Sequence, residues 1–235
     1  SCSPNLEICL EANPEDLSLE VLDDFVALGI ERLSIGIQSF DDDVLKSMNR
    51  SHTAQQSKEA IELAHQAGIK RLSVDLIYGR PTGGQDDFSK DLEQFVSLPV
   101  DHISAYALTI EPRTVYAQMH KKGELQLPDD EVIEQQFTQL LSTLASHGFE
   151  QYEVSNFSKP GFESRHNTAY WQGIPYLGIG PSAHSFDGKQ RYWNIANNHR
   201  YVQAVESGSV TWEFEKLTRD MRYNEYVLTR SRTKW

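Results

Sequence analysis

The chain has 235 residues, of which 39% are hydrophobic and 24% charged, the balance of a folded domain and not of a disordered chain. Its 22 Lys and Arg against 34 Asp and Glu leave a formal charge of -12, which argues against nonspecific binding to nucleic acid or to an anionic membrane. No apolar run approaches the ~20 residues of a membrane-spanning helix, and Ser1 to Pro4 open without the basic and apolar regions of a signal peptide.

In chain order, residues 6 to 11 alternate as a strand that stops at Asn13 and Pro14. Val21, Leu22, Phe25, Val26 and Leu28 then mark one helical stripe, closed by Gly29. A strand follows at Arg32–Gln38, and a helix at 54–67 with Thr53 as N-cap and Gly68 as terminator. Arg71–Tyr78 reads as the third strand, and Gly79, Pro81, Gly83 and Gly84 as a loop. A helix over 86–98 ends at Pro99, and Ile103–Thr109 is the fourth strand. Strands alternating with helices predict βαβ units and a parallel sheet.

The parity of these strands carries the functional signal. Leu33, Ile35 and Ile37 share one face with Leu72, Val74 and Leu76, and with Ile103, Ala105 and Ala107. The opposite face carries Glu7, Cys9, Glu11, Ser34, Gly36, Gln38, Ser73, Asp75, Ser104 and Tyr106. Parallel strands are normally apolar on both faces, and an unpartnered buried polar group costs ~1–3 kcal/mol. The polar face is therefore expected to line a wet or occupied cavity. In barrel-like βα folds ligands sit at the C-terminal strand ends, where Glu11, Gln38, Asp75 and Thr109 fall.

Beyond Thr109 the pattern changes. A short helix is expected at 114–122 and a long amphipathic one at 129–147, with Gly148 ending it and a strand at Tyr152–Phe157. Residues 158–198, rich in aromatics, Gly, Asn and His, read as a site-bearing loop region, and 218–230 as a further helix. The expected class is α/β, an incomplete parallel (β/α) partial barrel followed by a mixed α+β extension. Its expected divisions are a core over 1–125, an extension over 126–215 and the start of a helical domain over 216–235. Both ends read as truncated.

Six segments in order carry a resemblance: Glu11-Ala-Asn-Pro14, Arg32 to Phe40, Met48-Asn-Arg50, Asp75-Leu-Ile-Tyr-Gly79 with Pro81, His166-Asn-Thr-Ala-Tyr-Trp171, and Gly178 to Ser185. From about residue 6 onward the chain resembles the radical S-adenosylmethionine (SAM) proteins of haem metabolism. That group holds oxygen-independent coproporphyrinogen III oxidase and a haem-chaperone relative, and the His-Asn-x-x-Tyr-Trp element leans toward the chaperone. The resemblance implies a partial (β/α)6 barrel holding SAM and a [4Fe–4S] cluster. It implies that Glu11 and Gln38 contact the nucleoside and methionine parts of SAM and that Arg50 pairs with its carboxylate, as suits a guanidinium fork. Asp75 would complete the site and Ala107 pack on the adenine. It further implies a haem-ligand role for His166, with His184 a second candidate and haem-receiving proteins as partners.

The departures are equally specific. The superfamily's Cys-x3-Cys-x2-Cys signature is not matched by Cys2 and Cys9, the chain's two cysteines, which also build no disulfide framework and no four-thiolate site. The family's glycine-rich SAM segment is missing too, so both are expected upstream, no metal ligand is assigned within this chain, and the chain alone is expected to be inactive. Arg80 stands where the family usually has an aliphatic residue before Pro81. His52, His65, His102, His120, His147 and His199 show no ligand-like spacing and read as surface or packing residues. A reducing cytoplasm is the expected setting. The main functional expectation is a haem chaperone, with decarboxylation of coproporphyrinogen III as the alternative.

Overall fold

The computed structural model describes residues 6–81, 87–209 and 212–234; Cys2 and the loop glycines Gly83 and Gly84 lie outside them. Contacts divide the chain into two units, residues 1–163 and 164–235.

In the first unit β1 (Cys9–Ala12), β2 (Arg32–Gln38), β3 (Arg71–Tyr78) and β4 (His102–Ala107) lie side by side in chain order, all parallel. The crossovers are helical. The first is α1 (Leu19–Ala27), started by the Ser18 hydroxyl, which accepts from the Val21 N–H; Gly29 follows it at φ +80°. Two helices join β2 to β3. The short α2 (Asp42–Ser47) begins where the Asp41 carboxylate accepts from the Asp43 and Val44 N–H groups. The longer α3 (Ala54–Gln66) opens with a reciprocal box, in which Thr53 accepts from the Gln56 N–H and Gln56 accepts from the Thr53 N–H. Next, α4 (Asp87–Val96) joins β3 to β4.

After β4 come α5 (Val115–Lys121) and α6 (Asp130–Ser146), the latter capped by Asp129. The expected single strand at 152–157 is instead a hairpin, β5 (Glu150–Glu153) and β6 (Asn156–Ser158), because the Glu153 side chain accepts the Ser155 N–H and turns the chain there. β6 pairs antiparallel with β4, giving an open six-stranded sheet in the order β1-β2-β3-β4-β6-β5. The helix and hairpin after residue 125 thus stay with the first sheet, which is why the contact division falls at 163 and not at 125.

The two strand faces separate as their parity requires. Leu33, Ile35, Ile37, Val74, Leu76 and Ile103 are wholly buried, in a core completed by Leu22, Ile61, Phe95, Leu140 and Phe157. Each such side chain contributes ~1.5–3 kcal/mol. Ala107 departs from this face's pattern, lying exposed at the end of β4. On the polar face Ser73 and His102 share a hydrogen bond of 2.7 Å, and the other imidazole nitrogen lies 2.7 Å from the Tyr152 hydroxyl. Burial, with Arg32 adding to it, pushes the His102 pKa down to about 3, so it packs as a neutral ring.

The second unit holds α7 (Arg165–Trp171), β7 (His184–Phe186), β8 (Gln190–Asn194), α8 (Asn198–Glu206), β9 (Trp212–Lys216) and α9 (Arg219–Arg230). Its three strands form an antiparallel sheet in the order β7-β8-β9. The expected loop region at 158–198 is therefore corrected: it contains a helix and two strands, each too short to establish a period. In the Gly178 to Ser185 segment a Cβ at Gly178 would collide with the His184 carbonyl, and Gly180 sits at φ +114°. Among the described residues no helix is long and apolar enough to cross a membrane.

Candidate functional site at the strand ends

β2 does not end as a regular strand. Its register with β3 shifts between Ile35 and Gln38, and Gln38 adopts φ +66°. A non-glycine residue in the left-handed region costs ~1–3 kcal/mol and persists only where its surroundings hold it. Here the Arg50 Nη2 donates to the Gly36 carbonyl at 2.9 Å and to Asn13 Oδ1 at 3.3 Å. On the far side of the turn the Asp91 carboxylate accepts from the Phe40 N–H (2.8 Å) and the Ser39 hydroxyl (2.9 Å). Asp91 is itself paired at 2.5 Å with Arg80, both side chains 2% exposed. That pairing accounts for an arginine at a position where an aliphatic side chain is usual.

Gly36 makes room for the convergence. A Cβ there would lie 3.1 Å from Gln38 Nε2 and 3.2 Å from Arg50 Nη2, so the amide and the guanidinium meet over a bare backbone. The Arg50 Nε is buried without a hydrogen-bond partner, a donor left over by the protein's own contacts.

Asp75, on the neighbouring strand, accepts from the Ser34 hydroxyl at 3.4 Å. Its pKa is pushed up from 3.8 to about 6, by burial first and by the charge of Glu11; the Ser104 and Ser34 hydroxyls and the Arg50 cation oppose the shift. Glu11 and Arg50 are thus within electrostatic reach of Asp75.

A cavity of about 730 Å³ opens at these strand ends, lined by residues that include Gln38, Asp75, Tyr106, Ala107, Thr109 and Phe137. Of the five expected SAM contacts, Gln38, Asp75 and Ala107 line it. Glu11, exposed on the edge strand β1, and Arg50, bonded to the Gly36 carbonyl, are outside its lining. Tyr106, half-exposed on the polar face, adds a phenol to the cavity wall.

The donor set suits a sulfonium nucleoside: carboxylates for hydroxyls and an ammonium group, an amide, a spare guanidinium N–H for a carboxylate, and an alanine where an aromatic base can lie flat. The volume falls within the usual range of small-molecule sites, roughly 300–1,000 Å³. An iron–sulfur cluster is not served in the same way. Among the described residues no group of three or more His, Cys, Asp or Glu side chains could hold a metal ion. The Cys9 thiol is pushed up to about 11 by burial and by Glu7, the opposite of what thiolate ligation needs.

In the second unit His166 lies exposed in the first turn of α7, its ring edge-on to Tyr170 at 4.7 Å, and Tyr170 meets Tyr176 at 4.5 Å. Tyr170, Trp171, Tyr176 and Phe186 help line a separate cavity of about 420 Å³, whose lining does not include His166. His184 stacks on Trp193 at 5.8 Å between centroids.

His52, read as a surface or packing residue, is buried at 3% exposure and bonded to the Ile37 carbonyl in the β2 turn, a link that its place two residues after Arg50 could have signalled.

A family model, the radical SAM superfamily, matches residues 2–95. A protein of Mycobacterium tuberculosis named heme chaperone HemW is 36% identical over 231 residues, 98% of this chain and 59% of its own length. The protein of that name from Bacillus subtilis is 34% identical over 93% of this chain and 58% of its own length. That of Haemophilus influenzae is 42% identical over 77% of this chain and 46% of its own length. The chain thus spans about half to three fifths of the length of these relatives. Among solved structures, the Escherichia coli coproporphyrinogen III oxidase HemN, a radical SAM enzyme, superposes with a TM-score of 0.78 at 23% identity, over 96% of this chain and 55% of that one. That likeness shows the fold.

Proposed function

The chain belongs to the radical SAM superfamily, and from that premise we propose that it carries the SAM-binding strand ends and the haem-binding element of a haem chaperone. The observation that carries the SAM part is the meeting of Gln38 and Arg50 over Gly36, beside the Asp75 carboxyl, at the mouth of one cavity. In this reading Glu11 and Gln38 receive the nucleoside and methionine portions, the Arg50 guanidinium pairs with the ligand carboxylate, Asp75 closes the site and Ala107 meets the adenine face. Bound SAM supplies a latent source of radical chemistry, which needs an electron from a cluster for which the described residues offer no ligands.

The haem part rests on the relatives that bear the chaperone name and on the aromatic company of His166. A ring nitrogen on an exposed helical turn, with the Tyr170 ring edge-on to it, is a reasonable axial donor beside an aromatic surface. Receiving haem proteins would be the partners. The decarboxylation of coproporphyrinogen III gains only the fold likeness, which both activities share.

Haem titration separates the readings. The protein is expected to bind haem with a Soret band typical of histidine ligation, and His166→Ala to lose that band, with no consumption of coproporphyrinogen III. Turnover of coproporphyrinogen III by the reconstituted full-length protein, or an unchanged Soret band in His166→Ala, would overturn the proposal.

A further inference from the structure

Residues Arg50, Ser51 and His52 run behind the β2 turn, and two of them grip its backbone. Arg50 takes the Gly36 carbonyl, as described. His52 takes the next one: its Nε2 lies 3.1 Å from the Ile37 carbonyl oxygen, and its Nδ1 lies 3.0 Å from Glu15 Oε2. The His52 side chain is fully buried and Glu15 is partly open to solvent. Glu15 also accepts a hydrogen bond from the Ser51 hydroxyl. These contacts tie the short 3-10 turn after β1 (Pro14–Asp16) to the carbonyl immediately before Gln38.

A carbonyl oxygen only accepts, so the His52 Nε2–H donates to Ile37. Glu15 is held below the usual carboxylate range: burial raises its pKa, but the Ser51 hydroxyl, its own backbone N–H and His52 together outweigh that. The ring thus bridges the turn carbonyl at one nitrogen and a carboxylate at the other.

We infer that His52, bridged to Glu15, is a positioning residue that holds Gln38 in its left-handed conformation and so sets the amide against SAM. Placing the Gln38 side chain requires a backbone state that glutamine does not favour by itself. The structure grips that state at the two preceding carbonyls, by Arg50 and by His52. The hydrogen bonds of His52 go to Glu15 and Ile37, neither of which lines the cavity, so it acts through the Ile37–Gln38 peptide. The inference rests on the SAM reading for its functional consequence, but not for its conformational content.

The experiment has two readouts on the whole chain. In 15N-histidine long-range spectra, the His52 Nε2 is expected to carry hydrogen, and the Gln38 Cα and Cβ shifts to move away from left-handed values in His52→Ala. SAM titration by calorimetry is expected to show about a tenfold weaker Kd in His52→Ala, the loss of one hydrogen bond to the turn. Glu15→Gln, at a surface position, is expected to weaken binding less, and His52→Gln, which keeps a donor for the Ile37 carbonyl, to recover part of the affinity. A His52 Nε2 without hydrogen, or Gln38 shifts unchanged in both His52→Ala and Glu15→Gln, would overturn the inference. Should the parent chain fail to bind SAM while Gln38 still moves, the ligand reading falls and the clamp stands.

Discussion

Asp75 sits between two requirements. In the proposed site it would face the cavity with a charge; as a β3 residue it must tolerate burial beside Glu11. Its folded-state pKa of about 6 lies above its ordinary 3.8, so the carboxyl favours folding fully below the ordinary value and loses that contribution as pH rises through about 6. The lost stability is roughly 1–3 kcal/mol, allowing for solvent at the cavity mouth. Asp75→Asn is therefore expected to be more stable than the parent at pH 8 by about that amount and nearly equal to it at pH 4, in urea unfolding at both pH values. SAM binding should weaken in the same variant. Equal stability at pH 8, or a loss there, would mean that the Ser34 and Ser104 hydroxyls outweigh burial. The position of Asp75 was legible because a lone acid on a strand of alternating parity has few other uses. The state of Gln38 was not, since a positive φ on glutamine leaves no mark in composition or period.

At the level of elements, legibility followed signal length. Helix α3 could be placed almost to the residue because Thr53 and Gln56 stand at capping-box spacing and Gly68 follows the last turn. By contrast α2 and α7, with six and seven residues, give less than two full turns of pattern, and β7 has three residues. The packing of α4 was half legible. Its span and its end at Pro99 could be read, but not that Asp91 in the middle of the helix turns inward to meet Arg80, Ser39 and Phe40. Such a pair is easier to break than to replace. Asp91→Asn should cost about 3–5 kcal/mol in urea unfolding, because it leaves the Arg80 charge buried without its counter-ion. The double change Arg80→Met with Asp91→Leu should recover most of that loss while leaving the Ser39–Phe40 turn without its acceptor. If the single and double variants unfold alike, the charge is not what the helix contributes.

Among the described residues the strand-end cavity has no metal site beside it: no group of three or more His, Cys, Asp or Glu could hold the redox centre that the superfamily pairs with SAM. Radical chemistry from SAM requires an electron delivered at the sulfonium, and the superfamily's cluster is held by three thiolates with one iron left open. This chain has two cysteines in all, Cys2 and Cys9, and the thiol of Cys9 is raised to about 11, so near neutral pH it is protonated. Its Sγ–H is turned toward Glu7, a carboxylate that also faces Arg32 and Arg71 at 3.7 Å each. Making Cys9 a ligand would require removing a proton beside a negative charge and disrupting that cluster of charges. Anaerobic reconstitution of this chain with iron and sulfide should therefore give well under one [4Fe–4S] cluster per chain in the 400 nm absorbance and by iron analysis, and Cys9→Ser should not lower the yield. SAM affinity measured in the same samples should be unaffected by the iron treatment, because the groups that meet over Gly36 need no metal to hold their places. A stoichiometric cluster, or one abolished by Cys9→Ser, would show that ligands are recruited in a way the charge environment of β1 argues against.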